Sequence, residues 1–327
     1  MEKNTETREK VIVTLGPYAP HLNDVLKHPI VEGIRLNTIM PLKETQEDLL
    51  KRLNKACIAE KKDLWIDLKG RQLRVASFGV PPFTEVKLSH KIDVYTPCKA
   101  YFGNRHEPVN LLEVDGDRLI FQAGPRRVIG PGESVTIPHP TLRIQGYLTD
   151  TDLKYVEAAK KVGLHKYMLS FVESQKDIAD LLSLDKDAQI LAKIESQKGI
   201  DFVKRDYIKE KNTGLMAARG DLYMELDWPH TILGALEEIL MKDPKAVVAS
   251  RILDSLAEKP EPECADMSDV DNLIRMGYNR MMLGDELCLE KRPVISALNV
   301  IQEIALQAKH YRMEKEDRGR REHGVFG

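Results

Sequence analysis

Two short stretches carry the side chains with the most chemical use: Ile190-Leu-Ala-Lys-Ile-Glu-Ser196 and Gly214-Leu-Met-Ala-Ala-Arg-Gly-Asp-Leu222. Each is an apolar run that ends in charge. Lys193 and Glu195 stand at i and i+2, so on one strand they point to the same side. Asp221 follows Arg219-Gly220, where a strand would hand over to a helix. One ammonium and two carboxylates at strand ends suit a divalent cation, magnesium or manganese, beside a phosphorylated or enolate oxygen. Each residue also has a structural alternative. Lys193 could simply pair with Glu195, because an unpaired buried ammonium is costly. Asp221 could be a helix N-cap. Arg35 suits a bidentate anion contact, or an ion pair with Asp67.

The elements that must hold these groups alternate. Strands are expected to begin at Val11, Gly33, Leu64, Tyr167, Ile190, Leu215, Ala246 and Arg280. Helical patterns follow over 44–61, from a cap at Asp150 or Thr151 to Val162, and over 174–184, 199–210, 233–241, 266–276 and 295–308. Eight βα units predict an α/β fold, a (β/α)8 TIM barrel, with its chemistry at the strand C-terminal ends. The rhythm stops between Val75 and Gln145, which is rich in Pro, Gly and β-formers. The expected organisation is a barrel over 1–74 and 146–308, an inserted β domain over 75–145 and a charged tail over 309–327.

Composition limits the alternatives. The 327 residues carry 49 basic and 51 acidic side chains, a formal charge of −2. No basic excess marks a nucleic-acid binder. The four cysteines, Cys57, Cys98, Cys264 and Cys288, lack CxxC spacing and read as reduced thiols. The N-terminus has no apolar signal region and no run spans a membrane. The expectation is a soluble, cytoplasmic protein. The histidines show no HxH or HExxH spacing, which argues against a transition-metal site.

These residues also resemble pyruvate kinases. The matching pieces, in the family's order, are Val13-Thr-Leu-Gly-Pro17, Gly33-Ile-Arg-Leu-Asn37, Ile66-Asp-Leu-Lys-Gly70, Ser170-Phe-Val172, Ala192-Lys-Ile-Glu195, Met216-Ala-Ala-Arg-Gly-Asp-Leu222 and Ala249-Ser-Arg-Ile-Leu-Asp-Ser255. Ser268-Asp-Val270 and Met282-Leu283 follow. The resemblance implies a barrel with a lid domain inserted after its third strand. It makes Lys193 the phosphoryl-transfer lysine, Arg35 the phosphate contact, and Glu195 and Asp221 the divalent metal ligands. Ala218, Arg219 and Gly220 would receive the substrate carboxylate, and Ser250 stands where the family has a substrate-binding threonine. Arg74 matches a family arginine, and Asn37 and Asp67 match potassium ligands.

The resemblance also locates departures. Ile39 and Met40 replace a potassium-binding serine and a nucleotide-side histidine. Leu68 replaces a threonine, and Gln72 stands where potassium-dependent relatives carry glutamate. Gly130-Pro-Gly-Glu-Ser134 lacks the lid lysine, and Arg251 replaces a glutamine. Gly284 replaces the serine associated with enolate protonation. The family's C-terminal regulatory domain has no counterpart in the 327 residues.

Three functions follow as expectations. The first is phosphoryl transfer between phosphoenolpyruvate and a nucleoside diphosphate such as ADP, with potassium of little importance. The second is a metal-dependent lyase or aldolase reaction of an enolpyruvate. The third is a catalytically silent phosphoenolpyruvate-binding protein. No membrane or nucleic-acid partner is expected, and a homo-oligomer is left open.

Overall fold

The inward and outward faces of the central strands are set by strict alternation. In β1 (Lys10–Thr14), β2 (Val31–Asn37) and β3 (Asp63–Leu68), residues Val11, Val13, Ile34, Leu36, Leu64, Ile66 and Leu68 all belong to one large apolar cluster shared with the helices. Ile12 and Trp65, of opposite parity, belong to a second cluster with Met168, Leu191, Met216, Val247, Ala249 and Met282. That second cluster fills the barrel interior, because successive side chains point to opposite faces.

The computed structural model describes residues 9–103, 108–226 and 228–323, with side chains as far as Tyr311. After β3 come β4 (Glu85–Lys87), β5 (Ile92–Asp93), β6 (Cys98–Phe102), β7 (Val109–Asp115), β8 (Arg118–Phe121), β9 (Val135–Thr136) and β10 (Arg143–Ile144). The chain then returns through β11 (Lys166–Leu169), β12 (Gln189–Ile194), β13 (Thr213–Ala218), β14 (Val247–Ala249) and β15 (Arg280–Leu283). The eight parallel strands close in the order β1-β15-β14-β13-β12-β11-β3-β2. This is an α/β TIM barrel. The intervening strands form a five-stranded sheet and a two-stranded pair, packed over a separate core that runs in sequence from Leu73 to Ile144.

The helices are α1 (Leu22–Leu26), α2 (Gln46–Ala59), α3 (Asp150–Lys161), α4 (Gln175–Leu184), α5 (Gln197–Arg205), α6 (Arg219–Glu225), α7 (Ile232–Lys242), α8 (Cys264–Met276) and α9 (Lys291–His323). Several differ from expectation, among them α5, which ends at Arg205 and not at Glu210. The cap of α3 is Thr149, in a capping box with Asp152, and neither Asp150 nor Thr151 serves. The two hydrogen bonds of the box favour the Thr-x-x-Asp spacing. Helix α1 is too short for its period to show in the sequence. Helix α9 continues past Ala308 to His323, because the charged residues there include no proline to stop it. Residues 324–327 of the expected tail, and the N-terminal residues 1–8, lie outside the described residues.

One turn matters most for the mouth of the barrel. The Asp152 carboxylate, besides capping α3, accepts from the backbone N–H of Lys69 at 2.8 Å and Gly70 at 3.1 Å. Gly70 has φ +51, and a Cβ there would lie 2.5 Å from the Ser170 carbonyl oxygen. A side chain at that position would be strained and would clash. Arg71 then forks onto Asp177 at 2.8 and 2.7 Å and lies over the Tyr147 ring. The exit from β3 is thereby clamped to α3 and α4, and Lys69 is held over the mouth.

Candidate active site

The alternation that fills the barrel with apolar groups puts polar groups above them. In β12, Leu191 lies inside, and Lys193 and Glu195 follow at the same parity. In β3, Trp65 is followed by Asp67 and then Lys69. Met168 is followed by Ser170, and Ile12 by Thr14. Arg35 and Asn37 are the matching pair on β2. All of these polar residues are buried.

Asp67 is the hub, with no exposed surface. Its Oδ2 accepts from Arg35 Nη2 at 2.5 Å and from Lys69 Nζ at 2.6 Å. Its Oδ1 lies 3.3 Å from Lys193 Nζ. Burial disfavours its charge, but Arg35, Lys193 and Lys69 together hold the carboxyl well below the usual range. The Arg35–Asp67 ion pair is therefore real. Arg35 also reaches Thr14 Oγ1 at 3.2 Å and Asp285 Oδ2 at 2.8 Å. Burial opposes its charge, yet the two carboxylates raise its pKa further.

Lys193 donates to Ser170 Oγ at 2.8 Å and lies 3.0 Å from Glu195 Oε1. Burial disfavours its charge, and Asp67 and Glu195 more than restore it. Lys69 is different. Burial and the neighbouring cations outweigh Asp67 and bring its pKa down to about 8.

Glu195 Oε2 accepts from the Phe171 N–H at 2.8 Å. Phe171 holds φ +51, a turn that ends β11 at Leu169 and aims this N–H across to β12. Glu195 Oε1 is buried and makes no hydrogen bond among the described residues, and the Lys193 ammonium lies 3.0 Å from it. Burial, reinforced by Asp221, raises the Glu195 carboxyl to about 7 against the pull of Lys193. Two neighbouring carboxylates, one of them fully buried, suit a divalent cation.

Asp221 lies in the first turn of α6, whose N-cap is Ala218, so it is not the cap. Its Oδ2 accepts from Gln72 Nε2 at 3.1 Å, and Gln72 Oε1 accepts from Arg74 Nε at 3.1 Å. Arg74 also donates to the Gly132 carbonyl at 2.8 Å. Arg74 thus ties the barrel mouth to the insert. A cleft of about 550 Å³ opens beside it, lined by Arg71, Leu73, Ile137, Phe171, Ser196 and Glu225 among others. Lys193, Glu195 and Asp221 do not line it.

Several expected site residues are placed differently. The Arg219 guanidinium forks onto Asp269, with 2.8 Å to each oxygen, and donates to the Ser250 and Arg251 carbonyls. It staples α6 to the β14 loop and α8, which leaves only its backbone toward the mouth. Ser250 and Arg251 hold φ +68 and +55. A Cβ on Gly220 would meet Ser250 Oγ at 3.4 Å, so these two segments pack closely. Arg251 lies over the Tyr223 ring.

Sequence reasoning assigned no role to Lys69, Ser170 or Asp285. Asp67 and Lys69 have the same i, i+2 spacing as Lys193 and Glu195, which was the available signal for Lys69. Asp285 had none, because its partners are 250 and 248 residues away.

The arrangement defines a class: a barrel protein whose mouth pairs buried cations with buried carboxylates. The family model for the pyruvate kinase barrel domain matches residues 108–297. The chain belongs to the pyruvate kinase family. It is 28% identical over 337 residues to a pyruvate kinase of Borreliella burgdorferi, covering 93% of this chain and 69% of the relative. It is 26% identical over 329 residues to one of Methanocaldococcus jannaschii, covering 95% and 72%. The fold superposes on the crystal structure of Cryptosporidium parvum pyruvate kinase with TM-score 0.76 at 22% identity, covering 94% of this chain and 72% of that one.

Proposed function

We propose that the chain is a pyruvate kinase-like enzyme that binds phosphoenolpyruvate or a related 2-keto acid with one divalent metal ion. The observation that carries this is the buried Glu195 carboxylate, which feels the Asp221 charge and sets Oε1 3.0 Å from the Lys193 ammonium. Glu195 and Asp221 would hold magnesium or manganese. Bound there, the ion would supply Lewis-acid polarisation of a substrate oxygen. The substrate carboxylate would lie against the Ala218–Gly220 backbone and Ser250. Lys193, held between Asp67, Ser170 and Glu195, keeps a fixed positive charge where negative charge develops during phosphoryl transfer. Asp67 positions Arg35 and Lys69 on the opposite wall, and Arg74 couples Asp221 to the insert. Support at family level comes from the relatives named above.

The test is calorimetry with manganese on the wild type and on the Glu195→Gln, Asp221→Asn double variant. Clear loss of affinity in the variant is expected; equal affinity would sink the assignment. Turnover with phosphoenolpyruvate and ADP then tests the phosphoryl acceptor.

A second reading, carbon–carbon lysis or condensation of an enolpyruvate, is favoured by one position. Gly284 follows Met282 at inward parity, and a Cβ there would meet nothing within 4 Å. Position 284 has space for a hydroxyl side chain and carries none, which leaves the enolate open to another electrophile. Methyl-proton exchange of pyruvate in deuterated water checks this. Exchange should be slow in the wild type and faster in Gly284→Ser.

A further inference from the structure

Arg35 and Asn37 form a pair of donors at the mouth, and the chain fills it with its own carboxylate. Asp285 Oδ2 lies 2.8 Å from Arg35 Nη1, and Oδ1 lies 3.0 Å from Asn37 Nδ2. The carboxylate uses one oxygen on each donor, as a bound anion would. Among the described residues the carboxylate makes no other hydrogen bond or ion pair. Asp285 is the N-cap of the short helix Glu286–Cys288, and its side chain makes no capping hydrogen bond. Three other Arg35 donors face Asp67 and Thr14. A second anion would therefore meet an arginine with four of its five N–H donors already engaged. The Asp285 side chain is 37% exposed, so it stands at the entrance of the subsite rather than inside the core.

We propose that Asp285 is a specificity-determining residue: an internal carboxylate that occupies the Arg35–Asn37 anion subsite and selects against a phosphate at the far end of the substrate. The ligand class this favours is a 2-keto acid whose other end is uncharged and carries a hydroxyl that can donate to Asp285. Selection by a placed like charge needs no new attractive contact. The inference rests on the preceding reading for the keto-acid end, and of its two ligands it takes the 2-keto acid over phosphoenolpyruvate.

Inorganic phosphate is the probe for the subsite. It is titrated calorimetrically at fixed ionic strength into chelator-treated wild type, Asp285→Asn, Asp285→Gly and Glu286→Gln. Glu286 is an exposed neighbour and controls for general charge. Both Asp285 variants should bind phosphate at least about tenfold more tightly than the wild type, and Glu286→Gln should not. Phosphate affinity within twofold of wild type in both Asp285 variants, with unchanged thermal midpoints, overturns the proposal. So does an equal gain in Glu286→Gln. Oxalate with manganese, titrated in parallel, reports on the keto-acid end and should be unaffected by Asp285→Asn. If oxalate fails to bind any variant, the preceding reading falls. The phosphate comparison still decides Asp285, because it needs no metal.

Discussion

Two clusters of ligand-type side chains lie at opposite ends of this barrel, and they are built in opposite ways. At the floor, before β11 and β12, His165, Asp185 and Asp187 bring their ligand atoms together. Asp185 is buried, yet both its oxygens are used: His165 Nδ1 lies at 2.9 and 2.8 Å, the Tyr167 hydroxyl donates at 2.8 Å and the Asp187 N–H at 3.2 Å. At the mouth, Glu195 Oε1 makes no hydrogen bond among the described residues and has the Lys193 ammonium beside it at 3.0 Å. By residue type alone the floor looks more like a metal site. By hydrogen-bond accounting it is a finished structural joint, and the mouth is the unfinished one. A buried polar group left unsatisfied costs stability, so it marks a place where a ligand completes the structure.

The comparison breaks most sharply at lysine. Lys193→Met should lower turnover about 10²–10³-fold, the scale for removing one preorganised charge from a reacting centre. At the floor, Lys166, which pairs with Asp63 at 2.6 Å, should tolerate the same change with no loss of turnover. Comparable losses at both ends, measured as kcat, would erase the distinction.

Next comes stability. Asp185→Asn leaves His165 and Tyr167 poorly matched in a buried joint, and should cost about 1–3 kcal/mol in denaturant unfolding. Manganese affinity should not change. A drop in manganese affinity with Asp185→Asn would make the floor a metal site after all.

Glu195 gives a smaller effect with a defined sign. Its carboxyl rises from 4.5 unfolded to about 7 in the folded chain. Between those values the folded state holds a proton that the unfolded state has released. Stability of the metal-free protein should therefore fall as pH rises from about 4.5 to about 7, and be level above that as far as this group is concerned. Glu195→Gln should remove this component, on the order of 1–3 kcal/mol, so that the variant gains relative to wild type at pH 8 but not at pH 4.5. Denaturation midpoints at the two pH values decide it.

The smallest expected effect is that of monovalent ions. The Lys69 ammonium already lies on Asp67, and Gln72 is turned toward Arg74 and Asp221. Replacing potassium by sodium should leave turnover nearly unchanged. A strong, selective requirement for potassium would show that Lys69 moves aside.

Much of the mouth was legible because the strand period is two. Lys193 and Glu195 share a face in any extended conformation, and the eight apolar runs could be counted in order. The insert announced itself where helical periodicity stopped. Helix ends were less legible, as at Thr149, because several adjacent residues could serve as the cap and only the closed box selects one.

What the sequence determined by itself was the set of strands, their order and the inward parity of each polar group, all local consequences of backbone geometry. What only the tertiary structure decided was how those groups are spent. Arg219 is committed to Asp269 across 50 residues, Arg35 is shared between Asp67 and Asp285, and Glu195 is set between the Lys193 ammonium and the Phe171 N–H. Closing the barrel brings β15 beside β1 and β2 beside β3, and that closure sets which charges meet. Pairing between residues far apart in the chain depends on the ring's geometry, which no single stretch of sequence contains.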